Sequence, residues 1–124
     1  MPRLDALLHE IRFRPRWRAL LALLAITATC FAFRPGPGVA PGFTGADKIE
    51  HLLAFGAMAC TGALGFSTLW PVAASLLGYG VFIEVVQLWI PGREASVADV
   101  LADAAGIALG FALVSALRHR WPPR

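Results

Sequence analysis

The 124-residue chain is 57% hydrophobic and 15% charged, with mean hydropathy +0.64 and net charge +3. Soluble domains carry roughly 45–50% apolar and about 25% charged residues, so this composition excludes a lone soluble domain and equally a disordered chain. The pI of 9.5 is no evidence for nucleic-acid binding until the charges are placed.

Five arginines, Arg3, Arg12, Arg14, Arg16 and Arg18, crowd the start and lead into an apolar stretch from Trp17 to Phe33. That stretch is the first of four near the roughly 17–25 residues needed to span a bilayer as a helix. A cleaved signal peptide fits it less well, because no A-x-A site ends the run. Thr27-Ala-Thr-Cys30 also lacks the residues expected before a lipidated cysteine. Cys30 and Cys60 read as small buried hydrophobes, and the absence of a CxxC pair removes the zinc-ribbon and thioredoxin-like readings.

A Pro/Gly linker, Arg34 to Gly42, separates this span from the second, about 49–66. The third covers about 71–90, with Pro71 placed to open it and Pro91-Gly92 to close it. The fourth covers about 96–117. Asp47 with Glu50, and Ser96 with Asp99, read as capping boxes for the second and fourth helices. The fold predicted is all-α, a four-helix transmembrane bundle forming one domain over residues 1–124.

Charge then sets topology. With four spans the terminal segments share one side, where Arg3, Arg12, Arg14, Arg16, Arg18, Arg118, Arg120 and Arg124 outweigh Asp5 and Glu10 to give +6. The other side carries −3. The positive-inside rule makes both termini cytoplasmic. Trp17, Trp70, Trp89 and Trp121 all fall at expected interfacial depth. His9 and His119 sit in the basic termini and read as solvated, and the inner arginines as contacts to anionic membrane lipid, with no nucleic acid as partner.

Polar groups inside spans are costly, about 2.5–3.5 kcal/mol for a mid-helix Asp, Lys or Arg. Here they gather at one predicted face: Asp47, Lys48, His51, Glu84, Gln87, Arg93, Asp99 and Asp103. Asp47 and His51 are four apart, Glu84 and Gln87 three apart, and Asp99, Asp103, Gly106 and Gly110 follow one helical stripe. Three such stripes would line an outward pocket, with Gly106-x-x-x-Gly110 permitting close helix packing.

The strings Asp47-Lys-Ile-Glu-His51, Glu84-Val-Val-Gln87 and Pro91-Gly-Arg93-Glu-Ala-Ser-Val-Ala-Asp99 resemble the VanZ-like family of bacterial membrane proteins over about residues 47–110. The resemblance implies that Asp47, Lys48, His51, Glu84, Gln87, Arg93 and Asp99 are signature positions. It also implies an envelope role, since the family is named for a member associated with resistance to the glycopeptide teicoplanin. Phe55 stands where the family often has tyrosine, and Asp103 where asparagine is usual.

Several functions suit the cluster. In the first, His51, Glu84 and Asp99 act as catalytic groups, with His51 as acid or base. Asp47, Lys48, Gln87, Arg93 and Asp103 then bind substrate, an anionic lipid or lipid-linked cell-wall precursor, Arg93 bidentately. No serine or cysteine nucleophile joins them, which argues against covalent catalysis. A metal on His51, Glu84, Asp99 and Asp103 is a weaker alternative, and no cofactor is expected. A small transporter or proton-coupled flippase would need a homo-oligomer, for no inverted repeat is present. The simplest alternative is a scaffold whose polar groups only satisfy one another.

Overall fold

The computed structural model describes residues 2–36 and 45–120, with side chains from residue 14 onward. Linker residues 37–42, Trp121 and Arg124 lie outside these, as do the side chains of Arg3, Asp5, His9, Glu10 and Arg12. The described chain is all-helical: α1 Pro2–Ala32, α2 Ala46–Gly65, α3 Leu69–Gln87 and α4 Val97–Arg120. The N-terminal basic segment is helical too, α1 running through Pro15 without a break.

Helix ends differ from the sequence reading in instructive ways. α2 begins at Ala46 behind Gly45, whose φ of 93° only glycine adopts readily. Asp47 therefore sits inside the first turn, and no Asp47–Glu50 capping box forms. α3 stops at Gln87, short of Pro91. The amides of Leu88, Trp89 and Ile90 bond to carbonyls three residues back, a tightened turn that delivers the chain to Pro91. Helical geometry is disfavoured at the residue before a proline, so the helix ends early. Gly92, at φ 79°, lies against the Gly36 backbone, where a Cβ would come within 2.8 Å of Gly36 Cα.

α2 is the central element, most extensively packed on α4 and next on α1. The core joins Phe55, Met58 and Ala59 of α2 to Val72, Leu76 and Ile83 of α3 and Ile107 of α4. The glycine stripe does what its spacing suggested. A Cβ on Gly106 would meet the Leu52 carbonyl oxygen, and one on Gly110 would lie 2.5 Å from the Gly56 oxygen. Backbone thus touches backbone along the α2–α4 seam. Farther along, the Cys60 thiol donates to the Gly110 carbonyl at 3.5 Å. Cys30, by contrast, is exposed, because α1 packs through one side only.

The two ends of the bundle are chemically opposite. At one end Arg18 Nε donates to the Gly65 carbonyl at 2.8 Å and Arg118 to that of Ala63 at 2.9 Å. Both supply positive charge and donors to the unpaired last carbonyls of α2. The N-termini of α2 and α4 and the C-termini of α1 and α3 meet at the other end, where the carboxylates lie. Trp70 and Trp89, 74% and 75% exposed, mark opposite ends of α3.

Apolar surface faces outward. Leu23, Leu53, Phe82, Leu101 and Leu109 are all exposed. Two helices are long and apolar enough to cross a membrane: α3, mean hydropathy 1.7, and α4, 2.0. Only 28% of each apolar window is buried by the rest of the chain. The core helix of a soluble protein is mostly buried; these are not.

The α2–α4 seam gives a clean stability test. Gly106→Ala and Gly110→Ala force a methyl into backbone, which is expected to cost about 1–3 kcal/mol each. Gly78 has open space around its Cα, so Gly78→Ala is the matched control. Thermal unfolding in detergent should fall by several degrees for the first two and not for the third.

Candidate functional site

His51 lies one turn into α2, on the face turned toward α3 and α4. Asp103, fully buried at 0% exposure, receives it: His51 Nδ1 and Asp103 Oδ1 are 2.8 Å apart. An ionised carboxylate only accepts, so Nδ1 carries a proton toward Asp103 and Nε2 faces the other way. Two more carboxylates stand there, Glu84 Oε1 at 3.8 Å and Asp99 Oδ2 at 3.9 Å. Glu84 and Asp99 are 5% and 4% exposed. Gly80 makes the arrangement possible, since a Cβ there would lie 2.5 Å from Asp103 Oδ2.

Each acid is tied at its far oxygen. Glu84 Oε2 accepts from the Ser96 N–H at 2.8 Å. This replaces the expected capping box: the donor just ahead of α4 is met by α3, which leaves Asp99 free to turn inward. Asp99 Oδ1 accepts from Lys48 Nζ at 3.3 Å, and Lys48 bonds equally to Asp47 Oδ2. Slight burial works against ionisation of Asp47, but the hydrogen bond and charge of Lys48 hold its carboxyl below the ordinary value. Hydrogen bonds to Asp47 and then Asp99 raise the Lys48 ammonium in turn. Glu84 Oε1 and Asp103 Oδ2 have no hydrogen-bond partner among the described residues.

The eight polar residues expected at one face all lie at this end, in three roles. His51, Glu84, Asp99 and Asp103 converge. Lys48 closes the cluster from its edge, with Asp47 outside it, exposed. Gln87 and Arg93 hold the end of α1 instead: Gln87 donates to the Ala32 carbonyl at 3.1 Å, and Arg93 to those of Phe31 at 2.6 Å and Arg34 at 2.9 Å. Among the described residues Arg93 forms no ion pair, and its charge is set against the carbonyls at the end of α1.

Beside the cluster lies a cavity of about 390 Å³ between α1 and α2. Leu24, Ala28, Phe31, Ala54, Phe55 and Ile83 give it apolar walls, while His51, Glu50 and Arg93 are its polar members. Phe55 also stacks on His51 at 6.4 Å and on Tyr79 at 5.8 Å between centroids. The hydroxyl that a tyrosine would bring to position 55 is present nearby on Tyr79, which donates to the Ala25 carbonyl of α1 at 2.8 Å. Sequence reasoning missed the α1 wall, because its lining residues are ordinary span residues with no polar mark. It also missed Ser96, whose contribution is a backbone amide. His51, Glu84 and Asp99 are the residues that could hold a metal ion, with ligand atoms mutually within 4.8 Å.

An all-helical chain with outward apolar surface and an acid–imidazole cluster at one end is a membrane protein. It belongs to the VanZ/LLP1 family, whose pattern matches residues 7–118, reaching beyond residues 47–110 on both sides. Comparison with curated proteins and comparison with solved structures each give no match.

Asp103 generates a sharp expectation. Asp103→Asn keeps an acceptor for His51 and replaces a buried, unpartnered carboxylate oxygen by a neutral amide. Burying charge costs far more than burying an amide. The variant should therefore unfold at the same temperature as the parent or higher, whereas Asp103→Leu, which strands the imidazole N–H, should lose about 1–3 kcal/mol.

Proposed function

We propose that the chain spans the bacterial cytoplasmic membrane four times with both termini cytoplasmic, and that its outward-facing cluster binds or modifies an anionic lipid or cell-wall-precursor headgroup. One observation carries the reading: His51 belongs at once to the buried carboxylate cluster and to the wall of a largely apolar cavity. Such a junction suits an amphiphile, whose acyl or prenyl segment lies along Leu24, Ala28 and Phe31 while its headgroup meets Arg93 and His51. With Nε and Nη2 of the guanidinium on the carbonyls of Arg34 and Phe31, its remaining N–H groups are the donors a phosphate would take. His51 is the general acid or base, aligned through Nδ1 by Asp103.

Topology is supported by the bundle itself, which puts Arg18 and Arg118 at the end opposite the acids, as the positive-inside rule requires. A role in glycopeptide resistance follows the family's name and is part of this proposal.

The test combines binding with cellular readout. In nanodiscs containing anionic phospholipid or a polyprenyl phosphate, Arg93→Ala should weaken retention of the anionic lipid about tenfold, the loss expected for one charge-assisted hydrogen bond. Ala28→Trp should abolish retention by filling the cavity, with unfolding temperature unchanged. His51→Ala, Glu84→Ala and Asp99→Ala should each alter sensitivity to envelope antibiotics at normal membrane abundance. Loss of protein in every case would instead support a purely structural cluster, and equal retention of neutral and anionic lipid would sink the headgroup reading.

A further inference from the structure

Three side chains from three helices share one pattern in this cluster. His51 has its Nδ1 held by Asp103. Glu84 has Oε2 held by the Ser96 amide, and Asp99 has Oδ1 held by Lys48. The second atoms gather around His51 Nε2, which lies 3.8 Å from Glu84 Oε1 and 3.9 Å from Asp99 Oδ2, and one donor atom from each of the three residues falls within 4.8 Å of the other two. None of the three pairs is a hydrogen bond: the two from Nε2 are 3.8 and 3.9 Å. Glu84 Oε1 is deeply buried and without a partner among the described residues. With the ring in its Nδ1–H tautomer, Nε2 and the two carboxylate oxygens make a donor set that a cation between them would satisfy.

We infer that His51 Nε2, Glu84 Oε1 and Asp99 Oδ2 bind a single borderline divalent cation of the first transition row. Donor type selects the ion class, since one imidazole with two carboxylates suits Zn²⁺ or Mn²⁺ better than the all-oxygen ions Ca²⁺ and Mg²⁺. The two pairs from Nε2, at 3.8 and 3.9 Å, need only a small contraction. Ligand atoms at about 2.1 Å from a tetrahedral ion lie roughly 3.4 Å apart. Charge fits as well. Glu84, Asp99 and Asp103 face one ammonium, that of Lys48, which Asp47 shares, and a divalent ion offsets most of the excess negative charge.

The second layer is already in place. A carboxylate on the remote nitrogen of a ligand histidine fixes its tautomer and strengthens it as a donor, which is the part Asp103 plays here. In this assignment it is an orienting group and not a ligand. Three protein ligands leave an open coordination position, as catalytic sites do. His51 also borders the cavity, so that position adjoins the space assigned to the headgroup. Metal binding at these atoms does not depend on any lipid being the substrate, and it would take the place of His51 as acid or base, since both ring nitrogens are then engaged.

The experiment uses the full chain, without a histidine tag, purified in detergent and stripped with chelator. Zn²⁺ and Mn²⁺ are titrated separately by calorimetry, with thermal unfolding followed in parallel. One ion per chain and an unfolding temperature raised by several degrees are expected for the parent. His51→Gln and Glu84→Gln, each checked for a monodisperse elution profile, should weaken binding at least tenfold, and Asp103→Asn by about ten- to a hundredfold. Cys60→Ser should bind like the parent. Should His51→Gln aggregate, Glu84→Gln and Asp99→Asn carry the test. X-ray absorption of the loaded parent should show nitrogen and oxygen neighbours at about 2.0–2.2 Å. A sulfur neighbour, no saturable binding of either ion, or undiminished binding by the ligand variants would overturn the assignment.

Discussion

The distance between the backbones of α2 and α4 governs everything else at the acidic end. Gly106 and Gly110 let α4 ride directly on the Leu52 and Gly56 carbonyls. One turn farther toward the site, that proximity places Asp103 within hydrogen-bonding reach of His51. A larger residue in the seam would push α4 outward, and the pair would separate before any catalytic or ligand chemistry could matter. The packing contact and the polar contact are successive rungs of the same ladder.

Dielectric environment explains why the cluster is built with so many tethers. Carboxylates buried among apolar helices are costly unless donors or cations face them, and one oxygen of each of Glu84, Asp99 and Asp103 is held in this way. The N-terminal ends of α2 and α4 help, since helix dipoles favour negative charge at that end. The arginines at the far end meet the complementary dipole terminus at the α2 carbonyls. The fold thus places its acids and its arginines where its own backbone already favours each sign.

Much of this was legible in the residues. Four apolar stretches with breakers between them gave four helices, and the i, i+4, i+7, i+11 stripe from Asp99 to Gly110 correctly marked the face of α4 turned to α2. Convergence of His51 with the acids of α3 and α4 followed from the expected up-and-down order. The misses have physical causes. Capping boxes are local patterns, and a long-range acceptor, Glu84, outcompeted Asp99 for the Ser96 amide. Gln87 and Arg93 carried polar marks identical to those of the cluster members, yet they face α1, whose end offered unpaired carbonyls. The cavity wall is invisible to any reading based on polarity, because nothing in Leu24 or Ala28 distinguishes a lining residue from one packed against lipid.

Glu84 has a mechanical meaning as well as a chemical one. It bridges the whole turn between α3 and α4, from the last full turn of one helix to the amide just ahead of the next. The intervening loop is therefore stapled shut, and the first turn of α4, with Asp99 on it, inherits its orientation from α3. Anything that draws the free oxygen of Glu84 pulls on a lever whose other arm is the start of α4. Site and helix start are joined by that one hydrogen bond, so a shift of Glu84 is felt first at Asp99.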